Sequence, residues 1–381
     1  MAWLDDQLDF RWADISPGRT FALTEAGLVA CRQMAQMGVL DPDTPCYFPT
    51  ARGEAASRWD DATGAFVESH PETKRPLARR QARFGNLVRS WKLHGLFMTN
   101  WSDGQPWDYT QFMPELQGTP VLQFARKRAQ RGQVVLLPLG WYFMGPGSTN
   151  LPLEPDPIPF EAKTSNLIWR GRISGTIPSD DRQLWWAASS FMAGQESRAQ
   201  HHLPQTARWR VAHALRNTPW ADVKLILSAQ EQTRLDHSPI LQTLLDGLVG
   251  QRRTQAEHCG GKFLLVIDGN DIGTNKYWSL LSNSVTLMVD SEWETALDAG
   301  LEPWVHYVPV PPEREAIEAT VDDLLRHPRR CLDIIRAAHA LLQPQLDVAM
   351  REAADYATLR RYEQQVICTA GLPTTWSLAR R

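Results

Sequence analysis

The sequence predicts an α/β protein with a doubly wound parallel sheet. From about residue 85 onward, apolar β-rich runs alternate with segments of helical spacing. The chain has 381 residues, which is too long for one ordinary core, so two domains of roughly 150–200 residues are expected. Five prolines between positions 146 and 159 prevent a regular element there. That stretch is therefore the predicted boundary between the domains.

The first domain is expected over residues 1–160, and its residues 1–84 are expected to form an irregular, partly helical extension. The later part of this domain alternates between apolar and polar segments. The predicted elements are a helix at Ala22–Met37, a strand at Gly95–Thr99, a basic helix at Phe124–Arg131 and a strand at Gln133–Leu139.

The second domain is expected over residues 161–345, followed by a helical segment at 346–381. Helical spacing runs from about 312 to 367, and Pro344 is expected to interrupt it. Helices are also predicted from Arg182 and at Pro239–Arg252. The predicted strands are Leu167–Trp169, Val223–Leu227, Phe263–Ile267, Ser284–Val289 and Trp304–Val310.

Composition limits the class of protein. The formal net charge is −3 and the acids and bases are interspersed, which argues against nucleic-acid binding. The five cysteines include no CxxC pair and predict reduced thiols. The first residues lack the pattern of a secretory signal, and no apolar run approaches the ~18 residues of a membrane span. We therefore expect a cytoplasmic protein that can touch the inner face of a membrane.

A ligand site is expected at the carboxyl edge of the second sheet. The polar turn DGNDIGTNKYW follows the run Phe263–Ile267 and leads into a segment of helical spacing. A turn between a strand and a helix can present backbone N–H groups to an anion. The spacing alone indicates no particular ligand.

Several segments together resemble glycosyltransferase family 90. They are WRGRISG at Trp169–Gly175, the Asp-Gly-Asn turn, LLSNSVTLMVDSEW and LEPWVHYVPV. The likeness is strongest over about 165–345 and extends more weakly back to about 95. This family includes the KTEL-motif protein O-glucosyltransferases, capsule xylosyltransferases and bacterial lipopolysaccharide-modifying transferases.

The resemblance implies a GT-B fold, with two Rossmann-like domains facing a cleft and a helical C-terminus. It also implies transfer of a hexosyl or pentosyl unit from a UDP-sugar to a hydroxyl of a glycan acceptor such as lipopolysaccharide, with inversion. In GT-B enzymes basic side chains usually stabilise the leaving diphosphate, so no cofactor is expected, although a divalent cation is not excluded.

The resemblance also assigns donor-binding residues around the first motif. Arg170 is expected to contact the diphosphate, with Arg172 as the alternative and Gly171 allowing close approach. The competing interpretation is an ion pair at a strand end. Arg182 is a further candidate, and its alternative is an ion pair at the start of a helix.

The turn is expected to hold the nucleotide. Asp268 would accept a hydrogen bond from ribose or uracil, or would instead cap the following helix. Relatives carry an arginine where this chain has Asn275, so either the neighbouring Lys276 takes its role or donor binding has changed. The other donor-binding candidates are Gly269, Asn270, Gly273 and Glu292.

The catalytic base and the acceptor site are expected in the first domain. An inverting transfer needs a carboxylate to remove the proton of the acceptor hydroxyl. The relatives' pattern points to Asp103 as the base, with Asp108 as its rival and an Asx turn as the structural alternative. Aromatic rings suit sugar faces, and the acceptor-binding candidates are Trp101, Trp107, Trp141 and Tyr142.

Other functions are weaker candidates on the sequence. No metal site is expected, because the only D-x-D lies in a proline-flanked loop. A dehydrogenase would need G-x-G-x-x-G after a first strand, and the chain has none. A catalytically idle sugar-nucleotide-binding member of the family, or a protein O-glycosyltransferase, remains the alternative.

Overall fold

The structure is a computed structural model, and the chain divides into two compact units. Unit 1 comprises residues 1–140, 294–299 and 347–381, and unit 2 comprises 141–293 and 300–346. The sequence placed the boundary near residue 160 and set the C-terminal segment apart, whereas here that segment belongs to unit 1. The residues that the structure describes are 2–33, 37–43, 46–48, 57–69, 71, 76–103, 107–138, 155–175, 191 and 193–368.

Unit 1 contains a five-stranded mixed sheet. Its helices are α1 Ala2–Arg11, α2 Glu25–Gln33, α3 Pro76–Ser90 and α4 Tyr109–Phe112. Its first strands are β1 Phe21–Leu23, β2 Met37–Asp41, β3 Cys46–Phe48, β4 Ser57–Asp60, β5 Ala65–Glu68, β6 Phe97–Asn100, β7 Val121–Gln123, β8 Ala125–Lys127 and β9 Val134–Leu136. The sheet order is β3-β2-β6-β7-β9, antiparallel at the first two pairings and parallel at the last two.

Two expectations for this unit differ from the structure. Residues 1–84 are not a separate extension, because β2 and β3 from that segment pair within the sheet that contains β6. The basic helix predicted at Phe124–Arg131 is wrong: the chain there forms β8 and a 3-10 turn at Arg128–Gln130. The guanidinium of Arg126 is buried against Glu294 and backbone carbonyls, which an exposed basic helix would not allow.

Unit 2 contains the predicted parallel, doubly wound sheet. Its strands are β10 Thr164–Arg172, β11 Ala221–Ile226, β12 Gly261–Val266, β13 Val285–Val289 and, after the short β14 Trp293–Thr295, β15 Val308–Val310. Their order is β11-β10-β12-β13-β15, and every pairing is parallel. In order of occurrence this is 2-1-3-4-5, so the topological switch point lies between β10 and β12. The α/β class is confirmed.

Helices alternate with these strands and continue to the C-terminal part of the chain. In unit 2 they are α5 Glu196–His202, α6 Ala207–Ala214, α7 Ala229–Asp236, α8 Pro239–Leu245, α9 Gln255–His258, α10 Lys276–Leu280, α11 Arg314–Arg326 and α12 Pro328–Leu346. Unit 1 ends with α13 Val348–Gln365 and β16 Val366–Cys368. The helical C-terminus is therefore confirmed. Pro344 lies inside α12, which ends two residues later.

The core of unit 2 explains why its strands were predictable. Phe263, Leu265, Val285 and Leu287 have no exposed surface, as expected for parallel strands that are covered on both faces. The predicted strand at Trp304–Val310 is shorter in the structure. Trp304 has a left-handed φ of 64°, and its N–H donates to the carbonyl of Tyr307, so a turn precedes β15.

Among the described helices, none is both long enough and apolar enough to cross a membrane.

Candidate functional site

The switch point of unit 2 brings two loops together at the carboxyl ends of β10 and β12. Such a point is where α/β sheets commonly bind ligands. The loop after β10 contains Ser174 and Gly175, and the loop after β12 begins with Asp268 and Gly269. The two loops are close, because a Cβ on Gly175 would lie 3.9 Å from the carbonyl oxygen of Gly269.

Arg208 projects into this junction from α6. Thr206 caps α6 by accepting from the backbone N–H of Trp209, which fixes the first turn of the helix. The guanidinium of Arg208 donates to the carbonyl of Arg172 at 3.2 Å, to that of Ile267 at 3.3 Å and to the hydroxyl of Ser174. It therefore joins the ends of β10 and β12.

The guanidinium of Arg208 is buried but remains a cation. Its residue is 8% exposed, and burial lowers its pKa to about 10, while Asp268 and Asp271 oppose that shift. In the described part of the chain, Nη2 donates to the carbonyl of Ile267 and its second hydrogen has no acceptor. Nη2 lies 2.7 Å from where a Cβ would stand on Gly269. Glycine at 269 thus lets the guanidinium pack directly against the backbone of the turn.

The turn after β12 is organised around the carboxylate of Asp268. The N–H of Gly273 donates to Oδ1 of Asp268 at 3.0 Å, and the N–H of Gly269 donates to the carbonyl of Asp271. Both amides are therefore used within the turn. Burial raises the pKa of Asp268, while Ser291 and Lys276 act in the opposite direction. The predicted Asn270 lies on the same turn, half-buried.

Asn275 and Lys276 take different roles at the start of α10. The amide of Asn275 donates to the carbonyl of Leu265 at 2.7 Å and so ties the turn to β12. Lys276 is buried, and its ammonium acts on the carboxylate of Asp268. The lysine therefore supplies positive charge at this edge, and the asparagine braces the backbone.

Arg170 does not lie in this junction. Its guanidinium binds both carboxylate oxygens of Asp222 at 2.7 and 2.9 Å and also donates to the carbonyls of Asp222 and Gln251. In the sheet register, Arg170 pairs with Lys224, two residues beyond Asp222, so its side chain points back toward the amino ends of the strands. The interpretation as an ion pair therefore describes Arg170, and its donor contact gains no support from the geometry.

The other predicted donor-binding residues around the first motif make contacts within the protein or lie outside the described residues. Arg172 donates to both oxygens of the buried Glu231, at 3.0 and 3.1 Å. A Cβ on Gly171 would lie 2.1 Å from the indole of Trp169, so the glycine makes room for this ring rather than for a ligand. Arg182 lies outside the described residues. Glu292 follows β13 and is exposed, next to Ser291.

The two candidate bases of unit 1 are distinguished by their contacts. The side chain of Asp103 is 41% exposed, and its Oδ1 lies 2.6 Å from Nη1 of Arg80. Asp108 instead caps α4 by accepting from the backbone N–H and the hydroxyl of Thr110, and the Thr110 hydroxyl lowers its pKa. The structural role of Asp108 leaves Asp103 as the better candidate.

The aromatic candidates divide in the same way. Trp101 is 1% exposed and packs against Phe84, so it is part of the core. Trp107 is half-buried and stacks on Phe112. Trp141 and Tyr142 lie outside the described residues. Within the described ranges, no group of three or more His, Cys, Asp or Glu side chains could hold a metal ion.

Arg208 is the residue that sequence reasoning missed. It lies in a helix of ordinary composition, RWRVAHAL, with no glycine or motif beside it. The only available signal was the Thr206 cap, which predicts a helix start after the first β-strand of the domain. No feature of the sequence places that helix start at the end of β12, about 60 residues later.

Comparison with known proteins supports the resemblance to this family. Residues 221–366 match the model of glycosyl transferase family 90. The chain is 27% identical over 187 residues to O-glucosyltransferase LpsA of Dichelobacter nodosus, covering 49% of this chain and 45% of that protein. It is also 27% identical over 136 residues to an O-glucosyltransferase rumi homolog of Anopheles gambiae, covering 35% of this chain and 34% of that protein. The matched part is thus less than half of either relative's length.

Similar solved structures share little of the sequence. One is HepE of Anabaena in complex with UDP and glucose, with a TM-score of 0.33, 11% identity and 63% coverage of each chain. Another is a glycosyltransferase from Rickettsia africae, with a TM-score of 0.34, 8% identity and 70% coverage of each chain. Likeness at this level carries no argument about ligands. The family model and the curated relatives support the resemblance of the sequence motifs to glycosyltransferase family 90.

Proposed function

We propose that the protein is an inverting glycosyltransferase that moves a hexosyl or pentosyl unit from a UDP-sugar to a hydroxyl of a glycan acceptor. The observation that carries the proposal is the buried guanidinium of Arg208, placed at the switch point of a parallel sheet and packed against Gly269. A guanidinium binds phosphate oxygens strongly because it stays charged and presents several N–H donors.

In this proposal, named residues accept the proton of the acceptor and stabilise the leaving group. Asp103 accepts the proton of the acceptor hydroxyl as its oxygen attacks the anomeric carbon of the sugar. The bond between that carbon and the diphosphate breaks, and UDP leaves with its electrons. Arg208 and Lys276 stabilise the negative charge that develops on the leaving group. These cations remove the need for a metal, so no cofactor enters the proposal.

The acceptor is proposed from the family and the relatives. Two relatives are named O-glucosyltransferases, one of them LpsA of a bacterium. We propose a lipopolysaccharide-like glycan as acceptor, reached from the cytoplasmic side of the membrane. Cys31, Cys259, Cys331 and Cys368 are free thiols, in line with a reducing compartment.

Release of UDP tests this function. The purified protein is incubated with UDP-glucose, UDP-xylose and UDP-galactose, each with a lipooligosaccharide, with a folded protein substrate, or with no acceptor. Acceptor-dependent release of UDP with the lipooligosaccharide supports the proposal. Transfer to the protein substrate alone would favour the protein O-glycosyltransferase. Binding of UDP without turnover on any acceptor would favour an idle sugar-nucleotide-binding member.

Asp103→Asn tests the base, with Asp108→Asn as the matched control. Loss of a general base lowers turnover by about 10²–10⁴-fold, and UDP affinity is expected to stay unchanged. Asparagine caps helices as well as aspartate does, so Asp108→Asn is expected to keep both folding and transfer. Near-full transfer by a folded Asp103→Asn variant would show that the base lies elsewhere.

A further inference from the structure

A second concavity in unit 2 lies at the edge of the sheet opposite Arg208. It encloses about 390 Å³, within the range of roughly 300–1,000 Å³ that is typical of small-molecule pockets. Cys259 and Ser282 line it, and they directly precede the amino ends of β12 and β13. Its other walls are the loop 155–158, α9 and the end of α10. Nothing in the proposed reaction uses this cavity.

The charged residue of the lining is neutralised inside the protein. Asp156 accepts from the ammonium of Lys163 at 2.6 Å and from the backbone N–H of Asn283 at 2.9 Å. The side chain of Lys163 has no exposed surface. Burial raises the pKa of the Cys259 thiol to about 12, so the thiol is uncharged at neutral pH. An uncharged ligand therefore suits this cavity, since a charged one would enter without a counter-ion.

The shape of the lining favours a flat ring. Trp278 forms one wall, and the edge of its indole is fixed against His258, with ring centres 5.4 Å apart. Ile158 and Leu281 add aliphatic surface. Aromatic rings prefer offset stacking or edge contacts with an indole, which is worth about 0.5–1.5 kcal/mol beyond the buried area.

The cavity and the Arg208 site share the short helix α10. Trp278 lies on this helix and Leu281 directly follows it, both at the cavity, and its first residue is Lys276, beside Asp268. A helix of five residues moves as one body, because each of its residues lies within about one turn of the others. A molecule that packs on Trp278 therefore restrains Lys276 as well.

We propose that this cavity binds a small uncharged aromatic molecule, and that the bound molecule steadies α10 and so strengthens donor binding at Lys276. The effect on the donor rests on the proposed function. Binding in the cavity and the steadying of α10 do not depend on the proposed function.

Hydrogen–deuterium exchange with indole as the probe tests the proposal on the full chain. At an indole concentration ten times its Kd, amides of 276–282 whose opening requires release of indole are expected to exchange about tenfold more slowly. Ala256→Trp, at the rim of the cavity, is expected to abolish this protection. Arg252→Trp is the matched control, because it adds an indole to an exposed position outside the lining. Ala256→Met serves as a second, milder variant if Ala256→Trp is unstable.

The outcomes separate the two proposals. Equal exchange with and without indole, or equal protection in wild type and Ala256→Trp, would overturn the cavity as a binding site. Titration of UDP is then repeated with saturating indole, and a threefold or greater fall in its Kd is expected. An unchanged Kd despite protection of 276–282 would overturn the coupling. Failure of UDP to bind under either condition counts against the proposed function, whereas the exchange result stands independently.

Discussion

Replacement of Gly269 by alanine perturbs the Arg208 site without removing any of its polar groups. A Cβ at 269 would lie 2.7 Å from Nη2 of Arg208, 2.9 Å from its Cζ and 3.0 Å from Oγ of Ser174. These distances are shorter than normal contacts, so the guanidinium and the hydroxyl must move. The φ of Gly269 is not left-handed, and alanine can adopt its backbone conformation without strain. The substitution is therefore expected to displace the guanidinium of Arg208 and the hydroxyl of Ser174 and to leave the backbone unchanged.

The expected loss of affinity follows from the hydrogen bonds at stake. If the guanidinium moves, at least one charge-assisted hydrogen bond to the diphosphate is lost, worth about 1.5–3 kcal/mol. This corresponds to an increase in the Kd for UDP of about tenfold to 150-fold. Overpacking is expected to lower the free energy of unfolding by about 1–3 kcal/mol. The two effects are measured separately, by isothermal titration calorimetry with UDP and by urea unfolding.

Gly260→Ala is the matched control for this experiment. A Cβ on Gly260 would lie 3.5 Å from the carbonyl oxygen of Glu257, an ordinary contact, and the residue lies at the opposite end of β12. Its UDP affinity is expected to equal that of the wild type. If folded Gly269→Ala binds UDP as tightly as Gly260→Ala does, Arg208 does not contact the diphosphate and the assignment is wrong.

Four further outcomes are expected. Arg170→Met should lower the free energy of unfolding in urea by about 2–3 kcal/mol, because Asp222 loses its bidentate partner. A change in the affinity for UDP would show instead that Arg170 contacts the donor. Removal of divalent ions with EDTA should leave the Kd for UDP within about twofold, since protein cations supply the charge. Burial lowers the pKa of His258, so the unfolded chain takes up a proton at a higher pH than the folded chain does. The free energy of unfolding should therefore fall as the pH drops through about 6.5. In urea titrations, His258→Gln should reduce this dependence on pH. Burial raises the pKa of Asp268, and a diphosphate beside it favours protonation further, so calorimetry in buffers of different ionisation enthalpy should show proton uptake with UDP that Asp268→Asn removes.

The second sheet was predictable because its strands are continuous apolar runs. Strands buried on both faces have this pattern, and β12 and β13 lie within two residues of their predicted bounds. The candidate ligand site was expected at their carboxyl edge because strands and helices alternate in the sequence. The first sheet was harder, because the short strand β2 pairs antiparallel with β6 over a long sequence separation. No local pattern specifies such pairings.

The direction of a side chain was the step that sequence could not supply. Arg170 and Arg172 leave the same strand, and spacing alone places both near the ligand edge. Asp222, 52 residues further along, turns the first guanidinium back, and Glu231 holds the second. These partners come from other elements, so the ion pairs depend on tertiary packing. The same packing brings Arg208 from α6 to the end of β12.

At Asn275 this chain departs from the family that it resembles, and the contacts of the asparagine explain the difference. The side-chain amide of Asn275 donates a hydrogen bond to the carbonyl of Leu265, and this bond holds the turn against β12. An arginine at 275 would lose that hydrogen bond. The turn therefore keeps a short brace at that position, and the positive charge comes from Lys276 next to it and from Arg208 on α6. A guanidinium is still present at this edge, although another element provides it. The missing arginine is then no evidence of an idle protein, because the proposed diphosphate contact depends on the guanidinium at the switch point and not on its place in the sequence.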